Sequence, residues 1–142
     1  MDSDFWSKIE FFTPGEWGEG VENVDKRLVT TLDAFRKVMG RPIVIHRAWA
    51  NSGRVAGSLH CSGKAVDFRV KDDDYKAQFD ALAVMPLING IGFYPHWRPG
   101  PGWHIDLRPE NDLALWYRDA AEIYHYGLEG LAKELERWTN QS

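Results

Sequence analysis

The stretch Ser58-Leu59-His60-Cys61-Ser62-Gly63-Lys64-Ala65-Val66-Asp67-Phe68 decides how this chain is read, together with the shorter Gly102-Trp103-His104-Ile105-Asp106-Leu107. Side chains alternate between the two faces of a strand. If residues 65–70 are a strand, Val66, Phe68 and Val70 point one way, and Ala65, Asp67 and Arg69 the other. The same alternation over 102–107 sends Trp103, Ile105 and Leu107 into a core and leaves His104 and Asp106 on the opposite face. Gly63 gives the chain a flexible point between His60 and Asp67, so that both side chains can reach one ion. Two imidazoles and one carboxylate, from His60, Asp67 and His104, form a three-ligand set for Zn²⁺ with a fourth position left for water. The competing reading is plainer: an aspartate that caps a turn or pairs with a cation, and histidines satisfied as ordinary polar strand residues.

Outward from these stretches, the chain alternates between helical and strand-like patterns. Val21, Val24, Leu28, Leu32, Phe35 and Met39 recur at helical spacing, with Gly40 and Pro42 beyond them as stop signals. Residues 42–48 (P-I-V-I-H-R-A) read as a strand, and 51–58 as a polar loop. The run Asp72-Asp73-Asp74 can cap a helix carrying Tyr75, Phe79 and Leu82. It lacks the spaced oxygen ligands of a calcium loop. Residues 89–94 read as a strand and 95–101 as a Pro/Gly-rich turn. Tyr117, Ala121, Tyr124, Leu128, Leu131, Leu135 and Trp138 mark a C-terminal helix, weakened near Gly127. Mixed elements joined by short connections predict a single α+β domain over residues 1–142, an antiparallel sheet flanked by helices.

A length of 142 residues suits one core, and 44% hydrophobic with 27% charged residues is ordinary globular composition. The net charge of −4 and the lack of a basic stripe argue against nucleic acid as a partner. No apolar run reaches membrane-spanning length, so no membrane insertion is expected. The N-terminal M-D-S-D-F-W-S-K is not a secretory signal. The protein is expected to be made in the cytoplasm, and action outside it, at the cell wall, would need another factor for release. A monomer is expected. The single Cys61 excludes an internal disulfide. It neighbours His60, but adjacent residues of an extended chain face opposite ways, so it reads as filler rather than nucleophile. Five tyrosines and seven tryptophans are many for this length. Those outside the core suit a cleft wall for sugar or peptide.

Ser58, His60, Gly63, Ala65 and Asp67 match the motif S-x-H-x-x-G-x-A-x-D without a gap, and His104 with Asp106 supplies a later H-x-D. This pattern resembles the zinc D-Ala-D-Ala carboxypeptidase and L,D-endopeptidase superfamily, the M15 peptidases. The Hedgehog signalling domain shares that superfamily's fold and zinc site. Residues 90–95 (G-I-G-F-Y-P) and 11–17 (F-F-T-P-G-E-W) are similar to its small bacterial and phage branch. The likeness runs from about residue 10 to residue 116.

The resemblance implies a Hedgehog-like fold, with Zn²⁺ held by His60, Asp67 and His104. It implies a metallopeptidase hydrolysing an amide bond in peptidoglycan stem peptides or cross-links, as a phage or prophage lysis enzyme would. Arg47 stands near the place of the arginine that grips a substrate carboxylate, for which a guanidinium has the right fork of donors. Arg47 and Ser58 are thus the candidate substrate-binding residues. Ser58 and Asp106 are also local candidates to hold the imidazoles. Most members place a Glu or Asp general base three residues before the last histidine. Here that residue is Pro101, which cannot move a proton. Asp106 can replace it, His96 can, or no base exists. The last case describes a catalytically silent zinc-binding module or a virion component of the same fold. Arg69 reads as a structural partner of Asp67, His46 as facing away from Arg47, and His125 as a solvent-exposed position of the last helix.

Overall fold

The computed structural model describes residues 1–50 and 58–139. The expected polar loop at 51–58 lies, apart from Ser58, outside the described residues. After a short helix α1 (Ser3–Ser7), the order is α2 (Lys26–Met39), β1 (Ile43–Arg47), β2 (Ala65–Val70), α3 (Tyr75–Ala83), β3 (Gly90–Tyr94), β4 (Gly102–Asp106), β5 (Ala114–Arg118), β6 (Tyr124–Tyr126) and α4 (Leu128–Trp138). The strands form one six-stranded sheet in the order β1-β2-β4-β3-β5-β6. Among the described residues, no helix is long and apolar enough to cross a membrane.

The sheet has two unlike faces because its strands alternate. Ile43, Val66, Phe68, Trp103, Ile105, Ile91 and Phe93 are buried on one side, in one cluster with Leu28, Leu32 and Phe35 of α2, Phe79 and Leu82 of α3, and Leu131 and Leu135 of α4. The other face carries the polar residues of β2 and β4.

The α+β reading holds, with corrections to its elements. The sheet is mixed rather than antiparallel: β3 pairs with β5 in parallel, while the other neighbours are antiparallel. The chain leaves β4 through residues 107–113 and enters β5 on the far side of β3, so β5 runs the same way as β3. The C-terminal helix also starts later than expected. Residues 114–126 form a hairpin instead, with Trp116 opposite Tyr126 and Tyr117 opposite His125. Its turn is held by Asp119, whose Oδ1 accepts from the backbone N–H of Ala121 and Ile123, both at 2.9 Å. An aspartate that organises the backbone this way competes with helix, and the alternating aromatics suit a strand.

The first long helix is likewise shortened. Asp25 caps it by accepting from Arg27 N at 2.9 Å, while residues 21–23 form a separate 3₁₀ turn. Asp74 caps α3 through Ala77 N, as the Asp72–Asp74 run suggested.

Candidate metal centre

β2 and β4 are neighbours in the middle of the sheet, and their register sets Asp67 directly opposite His104. One row crosses the whole sheet on this face: Arg47, Asp67, His104, Gly92, Trp116 and Tyr126. His60 reaches the row from the turn before β2. In that turn Cys61 N donates to Ser58 O at 3.0 Å and Lys64 N to Leu59 O at 2.8 Å. Gly63 closes it with φ +73°, in the left-handed region, and a Cβ there would collide with the backbone of Asn23.

The nitrogens of the two histidines are sorted by their partners. His60 Nδ1 donates to the carbonyl of Ala48 at 2.8 Å, which leaves the lone pair on Nε2. His60 is 2% exposed, and its Nε2 is a buried atom that makes no hydrogen bond, although Asp67 Oδ1 lies 3.2 Å away. His104 is turned the other way. Its Nε2 contacts Asp106 Oδ2 at 2.7 Å and its Nδ1 contacts Asp67 Oδ1 at 2.9 Å. Ligand atoms of His60, Asp67 and His104 all lie within 4.8 Å of one another. Bonds of ~2.0–2.2 Å in a tetrahedral site hold ligand atoms roughly 3.4 Å apart, so small adjustments close the set on one ion. An orphaned imidazole nitrogen, a second imidazole and a carboxylate converging on one point fit zinc in donor type and number.

The charges agree. Burial opposes ionisation of Asp67, but His104 and the adjacent His60 outweigh it and hold the carboxyl well below the usual range. Burial also opposes a charged His104, yet the hydrogen bonds to Asp106 and Asp67 prevail and raise its pKa to about 9. Asp106 is fully buried. Its carboxyl too is pushed down, because Arg108 and His104 hydrogen bonds outweigh its burial.

Beside Asp67, a cleft of about 300 Å³ is lined by His46, Arg47, Trp97 and Arg98. Arg47 stands at this cleft. His46 does as well, contrary to the alternation argument. A bulge between Ile45 and Arg47 adds a residue to β1 and breaks the two-residue period. The His46 ring packs edge-on against Trp97, 5.8 Å between centroids. Burial, then Arg69, lowers its pKa, so it is neutral at neutral pH. Ser58 supports the turn: its Oγ accepts from His60 N at 3.3 Å.

The two candidate bases, His96 and Asp106, are placed differently. His96 is exposed, packs edge-on to Trp138 at 5.3 Å and lines a separate cavity with Tyr117, Asp119 and His125. The 95–101 turn carries it past the end of β3, away from the row. Asp106 does share the face of His104, but its carboxylate is bound to the far nitrogen of that ring and to Arg108, an orienting position. His125 belongs to β6, where its Nε2 contacts Asp119 Oδ2 at 2.8 Å.

Several participants escaped the sequence reading: Ala48, Tyr94, Trp97, Arg108 and Trp116. Arg108 carried none, because β4 ends at Asp106 and strand alternation does not extend to a residue beyond it. The glycines of G-I-G, at 90 and 92, were the signal for Trp116: small residues on a strand mark the close approach of something large.

No known protein family, curated protein or solved structure matches this chain.

Proposed function

We propose that this protein is a zinc metallopeptidase that hydrolyses an amide bond in peptidoglycan stem peptides or their cross-links. The convergence of His60 Nε2, Asp67 and His104 Nδ1 beside an open cleft carries this reading. The substrate class rests on the motif resemblance, and the cleft suits it chemically. Arg47 and Arg98 offer guanidiniums to a peptide carboxylate, and Trp97, stacked on Tyr94 at 4.3 Å, offers an apolar shelf. Zinc, when bound, supplies Lewis acidity for polarising the amide carbonyl. Asp67 contributes one negative charge and both histidines bind neutral, which preserves a net positive centre. Among the described titratable side chains at the cleft, His46 is the neutral base suited to accept a proton. It takes the role that Pro101 cannot fill.

The test is a turnover assay on purified peptidoglycan with zinc restored. Soluble fragments or new amino groups should appear, and a chelator should abolish them. His46→Gln should retain zinc and lose roughly 10²–10⁴-fold in rate, the usual worth of general-base help. A zinc-loaded protein that releases nothing contradicts the peptidase reading. The second reading, a silent zinc-binding module, then applies. Pro101 favours it, as does the full engagement of Asp106 with His104 and Arg108.

A further inference from the structure

Four side chains close a ring around the far side of His104. Nε2 of His104 meets Asp106 Oδ2 at 2.7 Å. Asp106 receives a two-pronged grip from Arg108, whose Nε donates to Oδ1 and Nη2 to Oδ2, each at 2.9 Å, and the Arg108 backbone N–H adds a third bond at 3.1 Å. The Arg108 guanidinium lies over the Trp116 ring, 5.1 Å from its centroid. Trp116 returns to His104, with ring centroids 5.4 Å apart, and is itself fixed by donating from Nε1 to the Tyr94 hydroxyl at 3.0 Å. The strand beneath makes room for this ring. A Cβ on Gly90 would strike the Asp106 carboxylate and Arg108 Nε, and one on Gly92 would strike the Trp116 indole.

We propose that Arg108 is a positioning residue of the metal centre: it fixes the Asp106 carboxylate against Nε2 of His104 and so aims Nδ1 of His104 at the ion. The inference rests on the metal reading above. The torsion that swings an imidazole is broad, so a ligand histidine needs a second anchor. Asp106 can be that anchor only if its own plane is fixed. A buried carboxylate with one partner is costly, whereas the planar fork of an arginine satisfies both oxygens and sets their orientation. The Asp106–Arg108 pair is neutral as a unit, so it orients His104 without diminishing the positive charge of the centre.

The experiment measures zinc affinity by competition with a chromophoric chelator for wild type, Arg108→Met, Asp106→Asn and the double variant, alongside the melting temperature of each chelated protein. Arg108→Met should bind zinc about 10–100-fold more weakly. The double variant should be no weaker than Asp106→Asn, because one residue acts through the other. Wild-type affinity in Arg108→Met, or losses that multiply in the double variant, would overturn the inference while leaving the metal reading intact. Arg108→Lys keeps the stem and the charge but not the fork. It should weaken zinc binding with unchanged melting of the chelated protein. A lower melting temperature with unmoved affinity, or failure of both Arg108 variants to fold, would make the residue purely structural and refute the proposal. A folded wild type that binds no zinc removes the metal reading and this inference together.

Discussion

In the metal-free protein His104 lies between two carboxylates, Asp67 on Nδ1 and Asp106 on Nε2, and both nitrogens are served best by a proton. That sets a pH signature. The folded-state pKa of about 9 stands above the value of 6.5 for an unperturbed histidine. The stabilisation is therefore complete below about pH 6.5 and disappears as pH rises through about 9. Asp67 and Asp106 act in the opposite sense, with folded pKa values held down, and their stabilisation is lost only in acid. Denaturant unfolding of the chelated protein should thus show stability falling between pH 6.5 and 9. A flat profile over that window contradicts the arrangement of His104. At this scale the trio was legible, because Asp67 and His104 fall on one face of two short strands and Gly63 marks the turn that brings His60 to them. Asp106 was legible as a neighbour but not as a committed one. Arg108, the partner that engages it, stands beyond the end of β4, where strand alternation no longer says where a side chain points.

The β3–β4–β5 unit explains why two glycines sit in a buried strand. Gly92 faces the site between His104 and Trp116, and the indole occupies the space of the missing side chain. Gly92→Ala should force Trp116 off its place and destabilise the fold by about 1–3 kcal/mol, the usual range for overpacking. Unfolding in urea checks this, and an unchanged midpoint would contradict the close approach. β2 and β4 could be read from sequence because hydrophobic residues alternate without interruption, as Val66, Phe68 and Val70 do. β1 could not be read fully, since the bulge at His46 reverses the alternation midway. The 114–126 hairpin was mistaken for helix because Tyr117, Ala121, Tyr124 and Leu128 happen to fall at spacings of three and four. What decides against helix is the Asp119 turn and the pairing of those aromatics across strands.

Across the whole molecule, the sheet separates two tasks. One face packs on α2, α3 and α4 and buries the core; the other holds His60, Asp67 and His104 beside an open cleft. The α+β class followed from the mixture of periodicities, but the strand order did not. The parallel β3–β5 pair depends on how residues 107–113 cross to the far side of β3, and nothing in their composition specifies that route. The division of faces also makes the central claim accessible. Removing Asp67 empties a ligand position on the open face while the packed face keeps its contacts. The decisive measurement is the metal content of wild type and Asp67→Ala, each folded, expressed with zinc and purified without chelator. The wild type should carry one zinc per chain and the variant little or none. A folded wild type without stoichiometric metal, or an Asp67→Ala protein that retains it in full, would contradict the account.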